Sequence, residues 1–153
     1  MTYVEERSRA VAAPARVLWE VIAGLGGPSG WGAFTPLWDL RARADRLIGG
    51  PGLRGRPDRE PRPGDDLHFW HVEDVVPGES LELRAEMRQV PGVPRLRLAA
   101  LPVSHRRSLL TQRVTFEPAG PLGHAFWYAE WVPHVVVFRR MLAGLAAQAE
   151  RRA

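Results

Sequence analysis

Residues 122–148 constrain the fold more than any other part of this 153-residue chain. Placed on a helix at about 100° per residue with Trp127 at zero, Trp131, His134, Phe138, Met141, Leu142 and Leu145 all fall within about 60° of it. Arg139 and Arg140 fall on the far side, where water can solvate them. The spacing predicts one long C-terminal helix with an aromatic apolar stripe. A stripe of that width needs a large apolar partner, and the ordinary partner is a sheet packed as plain core. Its Trp side chains could instead prop the helix off the sheet and leave a cavity.

The rest of the chain supplies the partner. Residues 3–12 read as a strand of weak alternation, with Tyr3, Glu5, Arg7 and Arg9 sharing one face. Pro14 suits a first helical turn, where its missing N–H is not needed. Val17, Leu18, Val21, Ile22 and Leu25 continue at helical spacing until Gly24, Gly26 and Gly27 stop the helix. A Gly-rich stretch, 26–34, follows a helix rather than a strand, so it is not a dinucleotide-binding fingerprint. It carries Trp31 and Phe34, which could form a lid. Thr35 as N-cap and Pro36 behind it open a second helix, with Leu37, Leu40, Ala44 and Leu47 as its expected apolar face. Residues 49–64, rich in Gly, Pro and Arg, are expected to be a long irregular connection.

From residue 65 the period becomes two. Strands are expected at 65–76, 80–89, 94–103 and 109–117, joined by short turns into an antiparallel meander. Leu81, Leu83, Ala85 and Met87 share one face. Leu110, Gln112, Val114 and Phe116 share another, which makes Gln112 a polar group on an apolar surface. The expected fold class is α+β: a curved antiparallel sheet wrapped around the long C-terminal helix, with two helices after the first strand, in a single domain over 1–153.

Composition narrows the function classes. The formal net charge of +4 invites a nucleic-acid reading, but the 21 basic residues are all Arg, with no Lys and no Asn anywhere. That usage points to a genome rich in G and C rather than to phosphate binding. The densest cluster, Arg54, Arg56, Arg59 and Arg62, is broken by Asp58 and Glu60 and reads as a solvated loop. No nucleic-acid partner is expected. Nor is a membrane span or export signal, which makes a cytoplasmic location the expectation. Without Cys or Lys, and with Ser29, Ser104 and Ser108 in turn-like sequence, nucleophilic catalysis is disfavoured. His68 and His71 point to opposite faces of a regular strand, so no metal site is expected.

The stretches D-R-L-I-G-G-P-G-L-R-G-R at 45–56, F-W-H-V-E at 69–73, L-E-L-R-A-E-M-R at 81–88, and 126–138 with Tyr128, Pro133, His134 and Phe138 carry a resemblance. The chain resembles the helix-grip superfamily of START lipid-transfer domains, birch-pollen-allergen-like proteins and polyketide cyclases. Within it, the chain is similar to a bacterial family of unknown function that often follows a short-chain-dehydrogenase-like NAD(P)-binding domain. No such domain lies in this sequence, so no cofactor is carried over. The resemblance implies that Trp70 and Val72 point inward and that a cavity between sheet and helix takes a small apolar or aromatic ligand. Its expected lining is Trp31, Phe34, Trp38, Trp70, Met87, Gln112, Trp127, Trp131 and Phe138. His134 and Glu130 are the candidate acid–base groups of a cofactor-independent cyclase, dehydratase or isomerase. The alternatives are a non-catalytic lipid carrier or sensor, and an interaction module that partners a reductase-like domain, with an apolar patch around Val132 and Val136. A homodimer stays open.

Overall fold

The computed structural model describes residues 1–28, 30–32, 35–50, 55–68, 70–86 and 90–153. The chain runs β1 (Tyr3–Val11), α1 (Ala15–Ala23), α2 (Thr35–Leu47), β2 (Asp66–Leu67), β3 (Trp70–Val76), β4 (Ser80–Ala85), β5 (Gly92–Ser104), β6 (Arg107–Pro118), α3 (Gly120–Ala129) and α4 (Trp131–Arg152). Among the described residues the strands form one antiparallel sheet in the order β1-β6-β5-β4-β3-β2. The meander is therefore as expected, and β1 returns to pair with the last strand, Glu5 opposite Val114 and Arg7 opposite Gln112.

One face of this sheet is the core. Trp70, Val72, Leu81, Leu83, Leu96, Leu98, Ala100, Leu110 and Val114 are all buried, each from alternate positions of its strand. Against them lie α1, through Val17, Leu18, Val21 and Ile22, and the inner face of α4, through Phe138, Met141, Leu142, Leu145, Ala146 and Ala149. The curved sheet grips α4, the arrangement that an amphipathic helix and a half-solvated sheet require of one another.

Four sequence expectations are corrected. The C-terminal stripe is not one helix. Glu130, at φ −89° and ψ 1°, separates α3 from α4, and the hydrogen-bond ladder restarts there with the His134 N–H donating to the Glu130 carbonyl at 2.8 Å. Pro133 is the physical cause: in an unbroken helix it would lack its own donor, and its ring would press on the carbonyl of Ala129.

The apolar face assigned to α2 is corrected at Leu40, Ala44 and Leu47, while the Leu37 side chain lies outside the described residues. Leu40 and Leu47 are exposed, whereas Trp38, Ala42 and Asp45 are buried. Spacings of four and three residues put these three on one face, and a polar Asp among them hid the periodicity.

The strand expected at 65–76 is split into β2 and β3 around His68, which sits at a positive φ of 59°. Its backbone N–H donates to the Gly55 carbonyl at 2.7 Å, and its Nε2 bonds the Gly26 carbonyl at 2.8 Å. His68 therefore ties two loops together. Finally, the strand expected at 80–89 ends at Ala85, while Met87 lies outside the described residues.

The Arg-rich connection does structural work as well. Half-buried Arg56 donates to the carbonyls of Ala23 and Leu25 at the end of α1, and Arg59 grips Asp65 with both terminal nitrogens at 2.7 and 2.9 Å. The first contact places a cation on a helix C-terminus, where orphan carbonyls and the dipole favour it. No helix among the described residues is long and apolar enough to cross a membrane.

Candidate functional site

The core is closed at one end only. α1 and the C-terminal half of α4 fill the concave face above Leu98, Ala100 and Leu110. Under the first two turns of α4 the sheet is instead faced by a cavity of about 340 Å³. This volume lies within the ~300–1,000 Å³ range of small-molecule sites.

Its wall is mostly apolar. Trp38 comes from α2, Trp70 and Ala85 from β3 and β4, Pro94, Val114 and Phe116 from β5 and β6, and Phe126, Trp127, Pro133, Val137 and Phe138 from α3 and α4. The aromatic rings brace one another. Trp38 lies 6.1 Å from Trp70 and 5.9 Å from Phe138, and Trp127 stacks between Tyr3 and Phe116. Wide rings that meet each other rather than interdigitating leave the space they surround unfilled.

Into this wall come a few polar groups: His134, Glu130, Arg41, Arg95 and Thr115. Arg41 of α2 pairs with Glu130 at 3.4 Å across the α3–α4 break. Both are more than a third exposed, so the pair sits at the rim. Arg95 is held by Glu73 at 3.0 Å and by Glu117 at 2.9 Å. His134 lies deeper, its side chain 12% exposed. Its ring packs against Trp127 and Phe138 at 5.0 and 4.8 Å, and its Nε2 meets a Glu5 carboxylate oxygen at 2.5 Å. The other Glu5 oxygen contacts Arg7. Sequence reasoning placed Glu5 and Arg7 on one face of β1 but gave them no role. The signal was there: two ionisable residues on the face that β1 turns toward the helices.

Burial pushes the His134 imidazole down from its ordinary 6.5 to about 4; the nearby Arg7 charge adds to the shift, and Glu130 opposes it. The imidazole is therefore neutral at pH 7. Between pH 6.5 and 4 the unfolded chain binds the proton that the folded chain refuses, so this group's stability contribution is complete above 6.5 and is lost as pH falls to 4. The loss is about 3 kcal/mol. Urea midpoints measured at pH 7 and 4.5 should therefore differ less in His134→Gln than in the parent protein.

The expected lining residues separate into three groups. Trp38, Trp70, Trp127 and Phe138 reach the cavity, with His134 and Glu130. Trp31, Gln112 and Trp131 do not line it. Trp31 is 1% exposed and packed in the core. Gln112 is buried and donates to the Phe138 carbonyl at 3.2 Å, satisfying backbone rather than facing a ligand. Trp131 is 43% exposed; Trp127 and His134 cover one side of its ring and the other is open. The angle that put Trp131 beside Trp127 assumed one unbroken helix, and the helix is interrupted at Glu130 between them. Phe34 and Met87 lie outside the described residues. Arg41 and Arg95 were missed because neither stands out in a chain with so many Arg. Among the described residues no group of three His, Cys, Asp or Glu is placed to hold a metal ion.

The fold has known counterparts. The Zhui aromatase/cyclase from Streptomyces sp. R1128 superposes with a TM-score of 0.59 at 21% identity, covering 99% of this chain and 96% of that one. Norcoclaurine synthase from Thalictrum flavum, in complex with dopamine and hydroxybenzaldehyde, superposes at 0.60 with 10% identity, covering 100% and 89%. The di-domain ARO/CYC BexL from the BE-7585A biosynthetic pathway superposes at 0.56 with 17% identity, covering 97% of this chain and 46% of that one. These likenesses show the helix-grip fold. No curated protein matches the chain in sequence. The sequence pattern of the family described as "Protein of unknown function (DUF2867)" matches residues 1–141, and the chain belongs to that family.

Proposed function

We propose that this member of an uncharacterised helix-grip family binds a flat apolar or aromatic molecule under the first turns of α4 and acts on it as a cofactor-independent, cyclase-like enzyme. The observation that carries the reading is the cavity itself: an apolar wall into which His134, Glu130 and Arg41 converge. A carrier needs one polar anchor or none, because affinity can come from apolar burial alone. Several convergent polar groups suit a site that must also move protons. The named neighbours, two of them aromatase/cyclases, point the same way.

The chemistry suited to these groups is ring closure of a poly-β-ketone chain. The neutral His134 takes a proton from a carbon flanked by two carbonyls. The resulting carbanion attacks a third carbonyl, forming a C–C bond, and the alkoxide takes the proton back from the imidazolium. Arg41, paired with Glu130 at the rim, holds a carbonyl oxygen of the chain. The aromatic wall contributes by folding a flexible substrate into one conformer. The exposed Leu122, Tyr128, Trp131 and Val132 are what an interaction module would show, but the open interior is not.

Val137→Phe tests the site. Val137 lines the cavity from α4, and a ring there would occupy it. The parent protein should bind anilinonaphthalene sulfonate with enhanced fluorescence, and the variant at least tenfold more weakly, with unchanged circular dichroism. Equal dye affinity in the two proteins would place the binding site elsewhere.

A further inference from the structure

β1 is an edge strand, and the face it turns to the helices is an unusual one. Tyr3, Glu5 and Arg7 alternate inward, while Val4, Glu6 and Ser8 face out. The side chains of Glu5 and Arg7 are only 15% and 11% exposed. Burying two charges beside a core is costly unless each finds a partner, and an apolar pair would be the simpler way to pack an edge strand onto a helix. These charges are arranged in series. Arg7 takes one oxygen of Glu5, and the other oxygen meets His134 Nε2 at 2.5 Å. Opposite Glu5 on β6 stands Val114, a residue of the cavity wall. The chain of contacts therefore runs from the strand edge to the ring that faces the cavity.

We propose that Glu5, clamped by Arg7, is the positioning residue for His134: it holds the imidazole as the Nε2–H tautomer and leaves Nδ1 as the basic nitrogen for the cavity. The proposal rests on the acid–base reading above. The guanidinium does not give up its proton, so the carboxylate beside it stays ionised and can only accept. His134 Nε2 must then be the donor. A neutral imidazole with its proton on Nε2 carries its lone pair on Nδ1, and among the described residues Nδ1 has no hydrogen-bond partner.

When Nδ1 takes a proton from substrate carbon, positive charge appears on the ring. Glu5 is the group that meets it. The other charges around the ring are Arg7 on β1, backed by Arg139 on α4, and Glu130, which is shared with Arg41 of α2. Without the Glu5 carboxylate the new imidazolium would face Arg7 uncompensated. A buried carboxylate that orients a histidine and stabilises its charged form is a recurring solution in acid–base enzymes.

The test uses the full chain labelled with 15N in its His side chains, with a linear poly-β-ketone thioester as the turnover probe. In the parent protein at pH 7, long-range proton–nitrogen spectra should show His134 protonated on Nε2 and bare on Nδ1. Glu5→Gln keeps the shape but presents an amide that can donate as well as accept. It should convert His134 to a mixture of tautomers and lower kcat by about 10²–10³-fold, with KM changed less than about threefold. Glu5→Asp keeps the charge and should restore part of both signals, which a packing role alone would not produce. A parent His134 protonated on Nδ1, or a tautomer and kcat indifferent to Glu5→Gln, would overturn the proposal. A parent protein that shows the Glu5-dependent tautomer but never turns the thioester over would sink the cyclase reading and leave the orienting contact standing.

Discussion

Trp38→Ala is expected to lower the unfolding free energy by about 3–5 kcal/mol. Trp38 is 8% exposed and meets three rings from outside α2: Trp31 at 6.0 Å, Trp70 at 6.1 Å and Phe138 at 5.9 Å. Truncation removes the indole from all three at once. The space it leaves opens onto the existing cavity, so the rings around it have little to collapse onto. At this chain length about 3–5 kcal/mol corresponds to a fall in Tm on the order of 10 °C. The same change should admit bulkier dyes than the parent protein binds. Trp38→Phe keeps one ring at the junction and should cost less than half as much. Urea denaturation monitored by circular dichroism checks both values. An alanine variant within 1 kcal/mol of the parent would mean that α2 contributes little to the cavity's roof.

Gly144→Ala should be of similar size for a different reason. A Cβ at Gly144, in the middle of α4, would stand 1.8 Å from the carbonyl oxygen of Gly32 and 2.6 Å from its carbon. Both atoms are backbone, so no side chain can swing away. Gly32 is no freer: its φ is 87°, and a Cβ there would meet the Met141 carbonyl oxygen at 2.8 Å. Two glycines thus let the segment after α1 lie directly on α4, with buried Trp31 beside the contact. Adding the methyl group must push loop and helix apart, and overpacking against rigid backbone costs about 3 kcal/mol or more. Gly78→Ala is the control. It has a positive φ of 79° but nothing within 4 Å, so only backbone strain of about 1 kcal/mol applies. Comparable losses at positions 78 and 144 would show that the close approach is not what holds the loop.

How much of this was legible beforehand depends on the range of each signal. Element types followed from local patterns. Period-two alternation marked β4, β5 and β6, Pro14 and Pro36 marked the starts of α1 and α2, and the apolar stripe marked α4 as the helix the sheet must cover. A sheet with one apolar face and a helix with one apolar stripe leave few ways to pack, which is why the fold class could be read in advance. Where a local signal was misjudged, a single residue was responsible. Pro133 divides the final helix, and Asp45 disguises the buried face of α2.

The candidate site was only half legible. Trp127, His134 and Phe138 could be named from the apolar stripe and Trp70 from the family resemblance, whereas Trp38 was named although the expected apolar face of α2 lay elsewhere. That the space between them stays open depends on how far the α3–α4 break lifts the start of α4 from β6, and no periodicity encodes that distance. Glu5 and His134 are 129 positions apart and meet because β1 crosses back to pair with β6. Sequence by itself determined which faces are apolar and which elements form, since these depend on residues within a turn or two. Tertiary structure alone decided which buried charges face one another, because a 2.5 Å contact between an edge strand and a helix is set by the packing of every element between them.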